Sequence, residues 1–293
     1  MFTGSNVALA TPFNEQGEID FSALHALVNF HLEHGTDGLV VAGTTGESAA
    51  LTQSEFCAML ESVVEQVSGR IPVIAGTGSA STQRTLEQTR LAAAHGADAA
   101  LVVTPYYVRP PQRGLEAHYR AVADISHIPV IVYNVPSRTA VDILPATVEK
   151  LSHHQNIVGI KEAVSEVGRV VELRARCDDS FTLLSGDDHS CLQAMKNGAN
   201  GVISVAANLV PAKMAEMCRA ARSGDWAVAK REESSLKRLF DILMIESNPI
   251  PVKWSLFEMK LIGPHIRLPL TELGDEFREP IRQCLQELKL IPA

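Results

Sequence analysis

No run of 18 apolar residues in this 293-residue chain is free of charge, so the sequence offers no membrane-spanning helix and no membrane partner is expected. Its opening, MFTGSNVALATPF, has neither a basic segment nor a small-residue cleavage pattern ahead of the first strand-like run, and a cytoplasmic location is the expectation. Basic residues never cluster. With 34 acidic against 26 basic side chains and a formal charge of -8, the chain lacks the positive footprint of a nucleic-acid binder. An anionic ligand would need a local cation. Cysteine is sparse too: Cys57, Cys177, Cys191, Cys218 and Cys284 are odd in number, scattered and never in a CxxC pair, which speaks against a disulfide framework and against a zinc site. Of ten histidines only His189 falls near a predicted strand end, so no metal is expected. Lysine is scarce, with nine in all and none before Lys150. One of them, Lys161, ends the apolar run in NIVGIKEA, Asn156 to Ala163.

What is present is a repeated apolar unit. Eight short segments recur with helix-length stretches between them: Asn6 to Ala10, Gly38 to Ala42, Pro72 to Ala75, Ala99 to Val103, Pro129 to Tyr133, Ile157 to Ile160, Thr182 to Leu184, and Gly201 to Val205. None alternates apolar with polar residues, as expected of parallel strands buried on both faces. HGTDG (34–38), HGADA (95–99) and NGANG (197–201) each place a glycine where a helix C-cap needs a left-handed residue, directly before a strand. Pro72 and Pro129 stand at strand starts, where no ladder donor is lost. Thr52 to Glu55 forms a capping box, and Asp187-Asp188 is placed to cap a helix ending near Asn197. An open dinucleotide-binding sheet would carry GxGxxG after the first strand, and Ala10-Thr11-Pro12 stands there instead. The expected fold class is therefore α/β, a (β/α)8 TIM barrel over residues 1–224 that carries the active site. Residues 225–293 read as a C-terminal helical extension, with helices over 225–247, 251–261 and 276–290.

In such a barrel the chemistry sits at the carboxyl ends of the strands. Those ends are polar: Thr44-Thr45-Gly46-Glu47 after strand two, Tyr106-Tyr107 after strand four, Tyr133 to Arg138 after strand five, Lys161-Glu162 after strand six, and Asp187-Asp188 after strand seven. Two readings fit Lys161. It marks a strand end and reaches water or pairs with Glu162, or it is a desolvated amine that adds to a ketone as a Schiff base. The second reading needs proton transfer nearby, for which Tyr133 is the natural acid/base, with Thr44 and Tyr107 extending a hydroxyl relay. Arg138 can hold a carboxylate in a bidentate fork, or simply be a solvated loop arginine. Glu47 is expected to order the loop before Thr52 rather than act as a catalytic acid.

Taken together, GTTGE (43–47), TPYY (104–107), YNVPSRT (133–139) and GIKEA (159–163) resemble the dihydrodipicolinate synthase branch of the pyruvate-dependent, Schiff-base class I aldolase family. NPIPVKW (248–254) and RLPLT (267–271) extend the likeness towards the C-terminus. The resemblance implies condensation of pyruvate with L-aspartate 4-semialdehyde to 4-hydroxy-tetrahydrodipicolinate, with a covalent imine on Lys161 and no cofactor. It further implies that Tyr133 shuttles protons with Thr44 and Tyr107, that Thr45 binds the pyruvate carboxylate, and that Arg138 holds the semialdehyde's carboxylate. Backbone groups of Gly186 and Ile203 would line the site. Tyr107 would cross a tight dimer interface, and two dimers would form a homotetramer. Lysine-inhibited relatives bind the end product at that interface. Here Ser48, Ala49 and Tyr106 match that pattern, while Gln53, Phe56, Ala80 and Arg84 depart from it, so inhibition by L-lysine is expected to be weak or absent. The alternatives are a sister aldolase acting on a sugar-derived or other 2-oxo acid, and a non-catalytic barrel that senses one.

Overall fold

A computed structural model describes residues 2–292. Eight parallel strands pair in sequence order and close into a barrel, β8 returning to β1. They are β1 (Gly4–Ala8), β2 (Gly38–Val41), β3 (Val73–Gly76), β4 (Ala99–Val103), β5 (Val130–Asn134), β6 (Ile157–Glu162), β7 (Thr182–Ser185) and β8 (Gly201–Ser204). Helices α1 (Phe21–Glu33), α2 (Gln53–Val67), α3 (Thr82–Ala94), α4 (Gln112–Ile125), α5 (Pro136–Thr139), α6 (Pro145–Ser152), α7 (Val167–Arg176) and α8 (Cys191–Lys196) connect them, and α9 (Pro211–Ser223) follows β8 and packs on β1. Three more, α10 (Trp226–Ile242), α11 (Ile250–Glu258) and α12 (Asp275–Glu287), follow α9. These last three begin within a residue of the expected positions and end sooner.

The apolar runs became strands because each buries both faces. One face fills the barrel interior with Val40, Ile74, Leu101, Ile131, Leu184 and Ile203; the other packs on the helices in a shared core that includes Leu236, Phe240 and Leu285 of the C-terminal region. Pro72 and Pro129 lie just outside the ladders and contribute only acceptors, to Leu39 N at 3.0 Å and Ala100 N at 2.8 Å. The predicted turn glycines are left-handed, with φ of +81° at Gly96, and the same turn recurs at Gly35 and Gly198. Two residues after each, a carboxylate or amide ties the neighbouring strand: Asp37 accepts from Ser5 N, Asp98 from Val73 N and Asn200 from Leu183 N, all at 2.8 Å. That device pins strand starts and thereby the height of each strand end.

One expectation is corrected. Asp188 does not cap α8, whose N-terminal turn takes Asp187 Oδ2 on Ser190 N at 2.9 Å. Instead Asp188 Oδ2 accepts from Val205 N and Ala206 N, at 3.1 and 2.8 Å, closing the turn after β8. Glu47 orders the loop before Thr52 as expected, and the Thr52–Glu55 capping box forms. Glu47 is buried against Lys253 of α11 at 2.5 Å and accepts from Arg267 N at 3.0 Å, so it ties the β2 loop to the C-terminal region.

Candidate active site

β6 runs on through Lys161 and Glu162, so the lysine is part of the strand and not its stop. Its register partner on β5 is Tyr133, and Nζ lies 4.4 Å from the centre of that ring. Lys161 is 6% exposed and, among the described residues, has no carboxylate within ion-pair distance. Lys253 makes the contrast: it is more deeply buried, but it carries Glu47 as its counter-ion. Among the described residues, one buried lysine is paired and the other is not.

Lys161 and Tyr133 lie in a cavity of about 140 Å³ at the carboxyl ends of the strands, with Thr44, Thr45, Arg138 and Gly186 on its wall. Thr45 is buried, and its Oγ1 accepts from Asn248 Nδ2 at 3.0 Å, which leaves the hydroxyl proton available to an anion. Arg138 sits on the four-residue helix α5, not in an irregular loop; it is exposed, and Nη2 donates to Asn248 O at 3.4 Å. At Gly186 any Cβ would stand 2.9 Å from Lys161 Cε and 2.8 Å from Ala163 Cβ, so the glycine leaves the room in which the lysine chain lies. Thr44 and Tyr133 share the cavity wall, although among the described residues no hydrogen bond joins their hydroxyls.

Tyr107 is 89% exposed and lies off this chain's own cavity wall, where left-handed backbone at Tyr107 and Arg109 turns the loop after β4 outward. Two expected placements differ. Ile203 is fully buried in the barrel interior; Val205, two residues on, supplies the wall there. Ser48, Ala49, Gln53, Phe56, Arg84 and Tyr106 surround a second cavity of about 710 Å³, but Ala80 is half-buried in the turn before α3 and is not part of its wall. Thr44 and Arg138 border both cavities. Asn248, Leu243, Met244 and Phe240 were not anticipated at the site. The NPIPVKW motif contained the signal for Asn248; the apolar residues of α10 and its end had none. Non-glycine residues with left-handed backbone gather in the loops at this end, at Ala42, Glu47, Tyr107 and Ala140, each at a cost of about 1 kcal/mol.

A closed (β/α)8 barrel whose strand ends carry a buried lysine beside a tyrosine in a small cavity has the architecture of a barrel enzyme. The profile of the Dihydrodipicolinate synthetase family matches residues 1–288, and the chain belongs to that family. It is 53% identical over 287 residues to the 4-hydroxy-tetrahydrodipicolinate synthase of Methylococcus capsulatus, covering 98% of this chain and 99% of that one. The enzyme of the same name from Ectopseudomonas mendocina is 50% identical over 287 residues, 98% of either chain. Among solved structures, the chloride-inhibited dihydrodipicolinate synthase of Acinetobacter baumannii complexed with pyruvate superposes with a TM-score of 0.98 at 44% identity, covering 99% of this chain and 100% of that one. No helix among the described residues is long and apolar enough to cross a membrane, and no group of three or more His, Cys, Asp or Glu side chains among them is arranged to hold a metal ion.

Proposed function

We infer that this protein condenses pyruvate with L-aspartate 4-semialdehyde to give 4-hydroxy-tetrahydrodipicolinate on the route to diaminopimelate and lysine. The observation that carries the reading is Lys161 Nζ, buried and without a counter-ion, beside the Tyr133 ring. The Lys161 amine adds to the ketone carbon of pyruvate, and loss of water leaves an imine that draws electrons from the neighbouring methyl. A proton leaves that methyl, and the resulting enamine carbon attacks the aldehyde carbon of the semialdehyde while the aldehyde oxygen takes up a proton. Attack by the semialdehyde's own amine on the imine carbon then frees Lys161. Tyr133 carries the protons, with Thr44 beside it and Tyr107 reaching in from a partner chain. Thr45 binds the pyruvate carboxylate and Arg138 the carboxylate of the second substrate. Gly186 contributes backbone and space, and Ile203 backbone beneath the cavity floor.

The covalent imine stands in place of a cofactor, and a cytoplasmic homotetramer built as a dimer of dimers is the assembly this reading implies. We assign the barrel to residues 1–224 and the appended helical region to 225–293, with Asn248 reaching back to Thr45. The second cavity is read as a degenerate lysine-effector site. Borohydride reduction with pyruvate should add a pyruvate-derived mass to the peptide holding Lys161, and labelling of any other lysine would sink the assignment. Aspartate semialdehyde, N-acetylmannosamine and glyceraldehyde assayed side by side distinguish the condensation from sister aldolase reactions.

A further inference from the structure

β6 extends one residue beyond Lys161, to Glu162, and successive strand residues face opposite sides of a sheet. Lys161 meets the cavity, whereas Glu162 is 3% exposed and borders neither cavity. Across the β5–β6 pair, Asn134 is to Glu162 what Tyr133 is to Lys161, its register partner. Both Glu162 oxygens accept from Asn134 Nδ2 at 3.1 Å, and Oε1 also accepts from Val164 N at 2.8 Å. The same Asn134 amide donates to Asp142 Oδ1 at 2.7 Å, and its own oxygen accepts from Ile143 N at 3.2 Å. Asp142 is held in turn by Arg169 of α7, Nη2 to Oδ2 at 2.6 Å and Nη1 to Oδ1 at 3.2 Å. A continuous polar chain therefore spans the ends of β5 and β6 immediately behind the two residues that carry the proposed chemistry.

We propose that Glu162, as a carboxylate, is a positioning residue: it clamps the ends of β5 and β6 and so sets Lys161 against Tyr133. The proposal rests on the Schiff-base reading above. Every contact Glu162 makes in this network is with a donor, Asn134 Nδ2 or Val164 N–H, so its geometry is that of the ionised form. A proton on the carboxyl would set an O–H against an N–H and loosen the bond across the strands. Ionisation there is costly. Burial pushes Glu162 up to about 7, Asp142 adds to the rise, and Val164 N–H, Asn134 and Arg169 oppose it. With its folded value above the unfolded one, the group's contribution to stability is fully present below the unfolded value and is lost as pH rises through about 7. Stability alone would favour a neutral side chain at this place. The ionised clamp is kept for the geometry it imposes.

Glu162→Gln in the full-length chain tests this through three readouts: melting temperature, the split between kcat and pyruvate KM, and the pH profile. The expected variant is at least as heat-stable as the parent at pH 8, with kcat about 10–100-fold lower, the scale of loss that follows a small misplacement of reacting groups, and little change in KM. The parent's kcat should fall as pH drops through about 7, and the variant should lack that limb. Borohydride trapping with pyruvate at pH 8 should be correspondingly slower in the variant. A variant with parental kcat and an unchanged pH limb overturns the proposal, and so does one that loses melting temperature while its remaining folded fraction works at the parental rate. Should Glu162→Gln not fold, Asn134→Ala, which opens the clamp from β5, must lower kcat to a similar degree; parental kcat there also overturns it. Failure of the parent itself to trap pyruvate on Lys161 would sink the Schiff-base reading instead, so the two failures are distinguishable.

Discussion

Two lysines are buried at opposite ends of a functional contrast, and substitution by methionine separates them. Lys253→Met leaves Glu47 buried without its counter-ion, which costs about 3–5 kcal/mol of stability. Lys161→Met removes an amine that, among the described residues, has no ion-pair partner, so the chain should fold with near-parental stability and lose pyruvate trapping entirely. Urea unfolding and borohydride labelling measured on both variants check the pair of outcomes, and a Lys161→Met chain that unfolds as readily as Lys253→Met would contradict it. The scarcity of lysine in the sequence drew attention to Lys161 but could not rank it above Lys253. What ranks them is a carboxylate 206 positions away in the chain, and no local pattern announces that partner. Thr45 and Arg138 were legible because they sit in short motifs at strand ends. Their shared support, Asn248, lies more than 100 residues downstream of both; its motif NPIPVKW was visible in the sequence, but its partners were not.

At the level of elements, the barrel was readable because every strand is an uninterrupted apolar run and its flanking glycines and prolines fix where it begins. The strand-tying carboxylates and amide of the HG-x-D and NG-x-N turns were visible as a repeat, but their partner strands were not. Asp98→Ala strands the Val73 N–H in a partly buried place, at a cost of about 1–3 kcal/mol. Asp98→Asn keeps the acceptor, as Asn200 does at Leu183, and should stay close to parental stability. Both variants should keep parental kcat at saturating substrate, since β3 supplies no residue to the cavity around Lys161. Denaturant midpoints for the two would decide whether the side-chain oxygen or the turn itself fixes the strand. The misreading of Asp188 has the same origin. A short acidic pair before a helix looks like a cap, and only the fold shows that the turn after β8 offers Asp188 two N–H groups.

For the molecule as a whole, the second cavity predicts a regulatory phenotype. Arg84 is exposed on its wall and, among the described residues, meets no carboxylate within ion-pair distance, while Phe56 presents a buried ring. The Arg84 cation repels the two ammonium groups of lysine, and of the two carboxylates on the same wall, Glu47 and Glu87, the first is already paired with Lys253. L-lysine titrated into the condensation assay at saturating substrates should inhibit weakly or not at all, and half-inhibition at submillimolar lysine would contradict this. Tyr107 has a different consequence. The relay proposed above takes the exposed Tyr107 from a neighbouring chain, and on that proposal turnover becomes a second-order property of the protein itself. When the chain is diluted far below its dimer dissociation constant, the total rate should fall with the square of protein concentration, and specific activity should return on reconcentration. On that proposal the exposed tyrosine turns an activity assay into a measurement of how tightly two copies hold each other.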